Sequence, residues 1–351
     1  MRVVLLGGAG YLGTVASHHL AALGHDVTVV DGLIYHREDD PAALLPRTAR
    51  FVHGDLRDAA LLARVSTDAE AVVHLGGIVG EPASQLDEQL AVELNYASPM
   101  IAAEAATAAG VGHYVFFSSC SVYGLHEGIV DEDTKPNPLG VYARTKVLAE
   151  RRLPDVLGSR SALTSLRLAT VHGSSPRQRL DSVVNKMASH AASSGRIPLN
   201  GGSQRRPLVH VRDVARVLAG VLEQRLTGAW NVGSDPENHT IGDIAATVAE
   251  VVPGAVIDRG PERNEADARD YRVSFARIER ALPGACATTL KDGVREIADL
   301  VLTGAVTDPG QAEYDNHRGL LGAVISGKVG RLESADCRRY GAEYSSAWEA
   351  S

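Results

Sequence analysis

The chain opens with Met1-Arg2-Val3-Val4-Leu5-Leu6-Gly7-Gly8-Ala9-Gly10-Tyr11-Leu12-Gly13, passes through an alanine-rich amphipathic run, and reaches Val27-Thr28-Val29-Val30-Asp31. Val3 to Leu6 are apolar without polar alternation, the pattern of a parallel strand covered on both faces. Gly7, Gly10 and Gly13 follow at a spacing of three. Between a strand and a helix such glycines have separate tasks. The first permits a tight turn, the second lets a pyrophosphate approach the backbone, and the third lets the helix pack close to the sheet. The helix that starts at Tyr11 and Leu12 adds free N–H groups and the positive end of a dipole. Asp31 ends the second strand, where a carboxylate can take both hydroxyls of an adenosine ribose. It also repels a 2′-phosphate, so the pattern favours NAD over NADP. The next arginine, Arg37, lies six residues on. The glycines alone are a weak signal, and their strand–helix–strand setting is what makes them count.

Outward from this stretch the alternation continues. Phe51-Val52-His53 is a third strand, ending at Gly54-Asp55-Leu56. An acid there can bond an adenine amino group while Leu56 packs on the ring; Asp55 or Asp58 as a helix N-cap explains the residues equally well. Ala71 to Leu75 make a fourth strand, followed by Gly76-Gly77, where small residues let a dinucleotide lie against the backbone. A long helical stretch carries Glu93 and Asn95 and runs to Ala109. Tyr114 to Phe117 are a fifth strand, ending in Ser118-Ser119-Cys120-Ser121-Val122-Tyr123-Gly124. This alternation predicts an α/β fold with a doubly wound parallel sheet. Ligands of such sheets sit beyond the carboxyl ends of the strands. The glycines, Asp31, Asp55, Gly76-Gly77 and Ser118-Ser119 all fall at those ends.

Residues 125–139 read as a polar, proline-containing loop, a candidate flap whose acids Asp131, Glu132 and Asp133 are solvated. Tyr142-Ala143-Arg144-Thr145-Lys146 opens the next helix, and its spacing of four puts the Tyr and Lys side chains on one face. With five lysines and ten tyrosines in the chain, that pairing is informative. A tyrosine of ordinary pKa about 10 is a poor base at neutral pH. A nearby ammonium and the positive charge of an oxidised nicotinamide favour its phenolate, which can then accept a hydroxyl proton. Ser119 can hold the same oxygen.

Leu163 to Leu168 form a sixth strand containing Arg167. Beyond it the pattern loosens. Arg177 and Arg179 precede a helix with Asn185 and Lys186, and Arg205 to Asp213 lead into a helix to Gln224. Trp230-Asn231-Val232-Gly233 is a late strand, and Arg269-Asp270-Tyr271 follows a further loop. Arg177, Arg206 and Arg269 stand beside small residues or proline in loops, a setting suited to phosphate oxygens and equally to an ordinary surface. These boundaries predict a dinucleotide-binding domain over 1–168 completed by about 206–234. A substrate domain spans 169–205 and 235–300, and a tail of unassigned role spans 301–351. The tail either packs as short helices or extends to a partner subunit, which Tyr314-Asp315-Asn316 and Tyr340 could reach.

The bulk numbers exclude other classes. A length of 351 residues with 44% hydrophobic content supplies a sizeable core. The net charge of -8 and the absence of a basic stripe argue against nucleic acid as a partner. No apolar run is long enough to span a membrane, and the N-terminus starts directly with a strand rather than a signal peptide. Cys120, Cys286 and Cys337 suggest neither a disulfide framework nor a metal site and fit the cytoplasm.

Taken together, these residues resemble the extended short-chain dehydrogenase/reductase family, in particular its NAD-dependent nucleotide-sugar epimerases and dehydratases. The resemblance runs from Met1 to about Leu300. It rests on Gly7-x-x-Gly10-x-x-Gly13, Asp31, Gly54-Asp55-Leu56, His74-Leu75, Asn95, Ser118-Ser119, Val122-Tyr123-Gly124, Tyr142-x-x-x-Lys146, Arg167 and the Arg206 to Asp213 stretch. It implies a Rossmann-type domain with tightly held NAD and a smaller C-terminal domain for a nucleotide-diphosphate sugar. Ser119, Tyr142 and Lys146 are the implied catalytic set. Gly7, Gly10, Tyr11, Leu12, Gly13, Asp31, Asp55, Leu56, Leu75, Gly76, Gly77 and Asn95 join Tyr142 and Lys146 around the cofactor. Ser121, Thr170, Arg177, Asn185, Arg206 and Arg269 are the expected substrate side. A homodimer is expected.

Three departures from the family pattern carry information. The sugar 4,6-dehydratases place an Asp-Glu pair where this chain has Cys120 and Ser121, whereas epimerases place small or hydroxyl residues there. Gly76-Gly77 stand where Ala-Ala is usual, and Thr170 where an asparagine is usual. The expected reaction is therefore epimerisation, at carbon four. The alternatives are a dehydratase, decarboxylase or 4-ketosugar reductase of the same family, and a binding protein without turnover. Cys120 is kept as a candidate further acid/base, against its reading as a buried cysteine.

Overall fold

Seven strands form one parallel sheet in the computed structural model, which describes residues 1–36, 41–260 and 269–349. They are β1 (Arg2–Leu6), β2 (Asp26–Asp31), β3 (Arg50–His53), β4 (Ala71–His74), β5 (His113–Ser119), β6 (Ala162–Leu168) and β7 (Gly228–Val232). Their spatial order is β3-β2-β1-β4-β5-β6-β7, with every neighbouring pair parallel. The winding reverses between β1 and β4, which opens a crevice at their carboxyl ends. Arg37 lies outside the described residues.

The unbroken apolar runs follow from burial on both sides. Val3, Leu5, Val29, Val73 and Val115 face a core shared with the helices Tyr11–Ala22 and Val211–Gln224. Val4, Leu6, Val72, Tyr114 and Phe116 face a second core shared with the helices Ser98–Ala108 and Val141–Leu157. Each such side chain contributes about 1.5–3 kcal/mol relative to exposure. The stretch expected as one helix to Ala109 is continuous but changes pitch. A helix over Glu88–Val92 widens into a π turn at Glu93–Ala97 before the helix Ser98–Ala108. Pro99 has no N–H to give the Asn95 carbonyl one turn back, and its ring would crowd that carbonyl. The wider turn sits where that conflict arises.

The second lobe has its own core around Val184, Leu208, Ile244 and Val294. It is built from the helices Val183–Ser194, Ile241–Val251 and Leu290–Leu302 and a three-stranded sheet of Thr170–His172, Arg205–His210 and Asn238–Thr240. The return to the first domain is therefore made by the helix Val211–Gln224 and β7. The strand Arg205–His210 pairs with Thr170–His172 instead.

Two expectations are corrected. Residues 125–139 contain a strand, Leu125–Val130, paired in parallel with Asp270–Val273. Its edge position and exposed Leu125 and Ile129 erased the two-residue alternation that would have announced it. Glu132 in the acidic cluster is buried, accepts the Asn231 N–H at 2.9 Å and faces Arg277 at 3.4 Å. Of the two readings of the tail, the structure has the packed helices, Asn316–Ile325 and Ala335–Glu349. The Tyr314 carbonyl accepts the Leu180 N–H at 2.8 Å, and Tyr340 is buried beside Tyr96.

Candidate active site

A cleft of about 770 Å³ opens at the carboxyl ends of the sheet strands. At one end lie the glycine turn, Asp31, Asp55, Leu56, Leu75 and Gly76-Gly77; Ser119, Tyr142 and Lys146 stand in the middle; Thr170, Arg177, Arg179, Arg206 and Arg269 line the other end.

The glycine turn has the geometry a dinucleotide needs. Gly7 has φ +82°, and a Cβ there would lie 2.4 Å from the Gly76 Cα. A Cβ on Gly13 would lie 2.4 Å from the Gly8 Cα, so the helix approaches the turn as closely as it does only because both are glycine. A Cβ on Gly10 would meet nothing nearer than the Gly7 carbonyl at 3.4 Å. Gly10 therefore presents open backbone to the cleft. Each oxygen of Asp31 takes one backbone N–H, from Ala9 at 3.0 Å and Leu33 at 2.8 Å, leaving lone pairs for ribose hydroxyls. These residues fit NAD.

Asp55 and Asp58 divide the two roles left open for them. Asp58 caps the helix Ala59–Ser66, accepting the Ala60 and Leu61 N–H groups. Asp55 lines the cleft and is paired with Arg57 at 2.6 Å. Burial opposes its ionisation, but the Arg57 hydrogen bonds and charge outweigh it and hold the carboxyl below its ordinary range. Gly76-Gly77 also acquires a reason. A Cβ on Gly76 would meet the Leu56 Cδ1 at 2.2 Å, and one on Gly77 would meet the Asn95 Oδ1 at 2.4 Å. Asn95 is thereby corrected. Its amide accepts the Ile78 N–H at 2.7 Å and donates to the Ile78 carbonyl at 2.9 Å. It shapes the loop after β4 from behind and does not line the cleft.

In the middle, Ser119 and Tyr142 line the cleft together, and the Ser119 hydroxyl favours ionisation of the Tyr142 phenol. The Lys146 Nζ donates to the Phe117 carbonyl at 2.9 Å and lies 5.9 Å from the centre of the Tyr142 ring. Glu81, which no spacing or motif singles out, accepts the N–H groups of Tyr142 and Ala143 at 3.3 and 3.2 Å. It thus caps the helix that carries the pair and adds a favourable charge at its start. Arg167, from β6, is paired with Glu150 of the same helix at 2.6 Å, both side chains buried. Burial lowers Lys146 to about 8 against a smaller opposing effect of Glu150. Burial also raises the Tyr142 phenol, opposed by the Ser119 bond and by the charges of Arg179 and Arg269. Unaided, the pair is an ammonium and a neutral phenol at pH 7.

Cys120 and Ser121 lie outside the cleft, contrary to expectation. Ser119 caps a short 3₁₀ turn over Cys120–Tyr123, its hydroxyl accepting the Ser121 N–H at 3.1 Å. That turn points the next two side chains into the protein. The Cys120 Sγ is 1% exposed and donates to the Arg167 carbonyl at 3.1 Å. Burial pushes its thiol far above the ordinary cysteine range. Bonded and held neutral there, the Cys120 thiol is no acid or base for a bound sugar.

On the substrate side, Asn185 is likewise corrected. Its amide accepts the Gly173 N–H at 3.0 Å and donates to the Arg179 carbonyl at 2.8 Å and the Tyr11 hydroxyl at 3.2 Å. It fixes the loop that carries Arg179 rather than facing the cleft. Tyr11 faces the cleft while its hydroxyl donates to the Gly173 carbonyl at 2.7 Å, tying the lobes together. Arg206 is buried and donates to the carbonyls of Arg205 and Arg269, which brings two guanidinium-bearing residues together. Arg179, paired with Asp181, is an addition to the expected set.

A doubly wound sheet, a glycine turn shaped for a dinucleotide, and a Ser–Tyr–Lys group at the mouth of the same cleft define an NAD-dependent enzyme of the extended short-chain dehydrogenase/reductase type. Residues 3–233 match the model of the NAD dependent epimerase/dehydratase family, and the chain belongs to that family. It is 30% identical over 288 residues to a UDP-glucose 4-epimerase of Azospirillum brasilense, covering 74% of this chain and 81% of that protein. Among solved structures it is similar to a UDP-glucose 4-epimerase of Thermus thermophilus in complex with NAD, with TM-score 0.76 and 27% identity over 87% of this chain and 100% of that one. It is also similar to a dTDP-glucose 4,6-dehydratase of Streptomyces venezuelae with NAD bound, with TM-score 0.76 and 26% identity over 87% of this chain and 98% of that one.

Proposed function

We propose that the protein is a nucleotide-sugar 4-epimerase acting on a UDP-linked hexose or a close relative. The observation that carries this reading is the chemistry of Cys120 and Ser121. Elimination of water across carbons five and six needs an acid and a base beside the Ser–Tyr–Lys group. Here the two residues that would supply them are a buried thiol bonded to the Arg167 carbonyl and a buried hydroxyl. What remains is the set for reversible oxidation at one carbinol.

Tyr142, as phenolate, takes the proton of the C4 hydroxyl while Ser119 holds the same oxygen. NAD⁺, when bound, would take the C4 hydride and give it back to the opposite face of the ketone, and its positive ring charge would favour that phenolate. Lys146 keeps its ammonium near the phenol and steadies the negative charge. Arg206 and Arg269 hold the diphosphate while the hexose presents its other face. Tyr142 then returns its proton to the C4 oxygen, so the net reaction is an isomerisation. Residues 1–168 with 211–234 serve the cofactor, and 169–210 with 235–300 the sugar nucleotide. We further propose a cytoplasmic protein, in keeping with three unpaired thiols. We propose a homodimer as well.

The test is incubation of purified protein, without added cofactor, against UDP-, TDP-, GDP- and CDP-sugars, with products read by mass spectrometry and proton NMR. The expected result is a C4 epimer of unchanged mass from a UDP-sugar. A product lighter by one water, or turnover only with added reduced cofactor, would overturn the epimerase reading.

A further inference from the structure

The tail residues 312–332 cross the open side of the cleft, and the chain is longer than the solved epimerase it covers from end to end. The crossing begins on the substrate side. The Glu313 carbonyl accepts from Arg177 at 3.0 Å, the Tyr314 carbonyl takes the Leu180 N–H at 2.8 Å, and Asp181 takes the Asn316 N–H at 3.3 Å. The helix Asn316–Ile325 then presses Leu320 and Ala323 into an apolar cluster with Ile78, Ala83, Leu94 and Val141, against which Tyr35 also packs. At its far end Lys328 donates to the His36 carbonyl at 2.9 Å, and Val329 is buried in the same cluster. The crossing finishes on the cofactor side, where the Gly330 carbonyl accepts from Arg57 at 2.8 Å and the Leu332 N–H donates to Glu93 at 2.9 Å.

Three observations aim this strap at the cofactor rather than at mere packing. Asn316, His317, Lys328 and Val329 are themselves part of the cleft wall. His36 joins the strap to the glycine turn, its carbonyl accepting from Lys328 at 2.9 Å and its ring contacting the Ala9 carbonyl at 3.0 Å. The Tyr35 hydroxyl beneath the strap lines the same cleft and is buried without a protein partner.

We propose that residues 312–332 form the outer wall of the cofactor site, with Lys328 placed to meet the dinucleotide diphosphate, so that NAD is held through turnover rather than exchanged. This rests on the cofactor assignment above and adds to it a retention element built from the tail. An ammonium–phosphate contact is charge-assisted, and its loss speeds release more than it slows capture.

The experiment measures NAD carried by the purified full-length protein after denaturation, and the rate at which bound NAD is chased by excess isotopically labelled NAD. Wild type is expected to carry NAD and exchange it slowly. Lys328→Ala is expected to exchange about tenfold faster or more, Lys328→Glu faster still, and Lys328→Arg to restore retention. Lys328 is exposed, so apo-protein melting should stay unchanged in all three. Wild-type exchange rates in Lys328→Ala and Lys328→Glu would overturn the proposal alone. A full-length protein that neither carries nor binds NAD would overturn the cofactor assignment and this proposal with it.

Discussion

The two ends of the cleft are made of different material. The cofactor end is made of backbone: Gly7 against Gly76, Gly13 against Gly8, and Asp31 bonded to the N–H groups of Ala9 and Leu33. The substrate end is made of long side chains from separate segments: Arg177 donates to the Glu313 carbonyl, Arg179 pairs with Asp181, and Arg206 donates to the Arg269 carbonyl. A backbone site is specified by where side chains are missing, which a sequence displays directly. A side-chain site is specified by where long chains end, which depends on the whole fold. The first should therefore fail by losing structure and the second by losing affinity.

The largest effect is expected where the ends meet. Tyr142→Phe keeps the ring and its packing but removes the proton acceptor, so kcat should fall by about 10²–10⁴ while NAD content stays at the wild-type level. Near-normal kcat would sink the mechanism. At the cofactor end, Gly7→Ala combines a left-handed φ of +82° with a Cβ 2.4 Å from the Gly76 Cα. The left-handed conformation costs about 1–2 kcal/mol and overpacking about 1–3 kcal/mol, so a lower melting temperature and lost NAD should appear together. At the substrate end, Arg206→Ala should raise KM for the sugar nucleotide about 10- to 100-fold, as expected for one lost charge-assisted contact, with bound NAD unaffected. If Arg206→Ala instead empties the cofactor site, the two ends are not separable.

The pH response sharpens the contrast further. Lys146 is lowered to about 8 by burial, so its charge, and with it the stabilised phenolate, is lost above that pH. The rate should fall about tenfold per unit on the alkaline limb. Stability should move the other way. The unfolded chain holds this proton up to about 10.4, so between about 8 and that value unfolding takes up a proton and the folded state gains as pH rises. A falling rate with undiminished stability would show titration rather than unfolding, and a flat profile to pH 9 would argue that Lys146 stays charged.

How far the sequence could be read follows the same division. The doubly wound parallel sheet, the glycine turn, Asp31 and the Tyr142–Lys146 pair were legible because each rests on local spacing, 3.6-residue or strand periodicity, and glycine. Asn95 and Asn185 were placed in the right neighbourhood and on the wrong side of it. Spacing fixes which loop a residue belongs to but not whether its amide turns to the cleft or to Ile78 and Gly173. Glu81 and the strap carried no signal of their own. Glu81 matters because the helix Val141–Leu157 happens to start against it, and Lys328 because the tail returns 292 residues later to His36.

The smallest expected effect tests the same distinction at Cys120, which sits one residue from the Ser119 hydroxyl in sequence. As an acid/base, its replacement by serine would cost most of the activity. As a buried thiol donating to the Arg167 carbonyl at 3.1 Å, it can be replaced by a hydroxyl that keeps the same bond. Cys120→Ser should then hold kcat and KM within about twofold and change stability by no more than about 1 kcal/mol. A loss of tenfold or more in kcat with unchanged melting would mean that the turn over Cys120–Tyr123 reorients on substrate binding and delivers the thiol to the sugar. Dehydration would then return as the favoured chemistry.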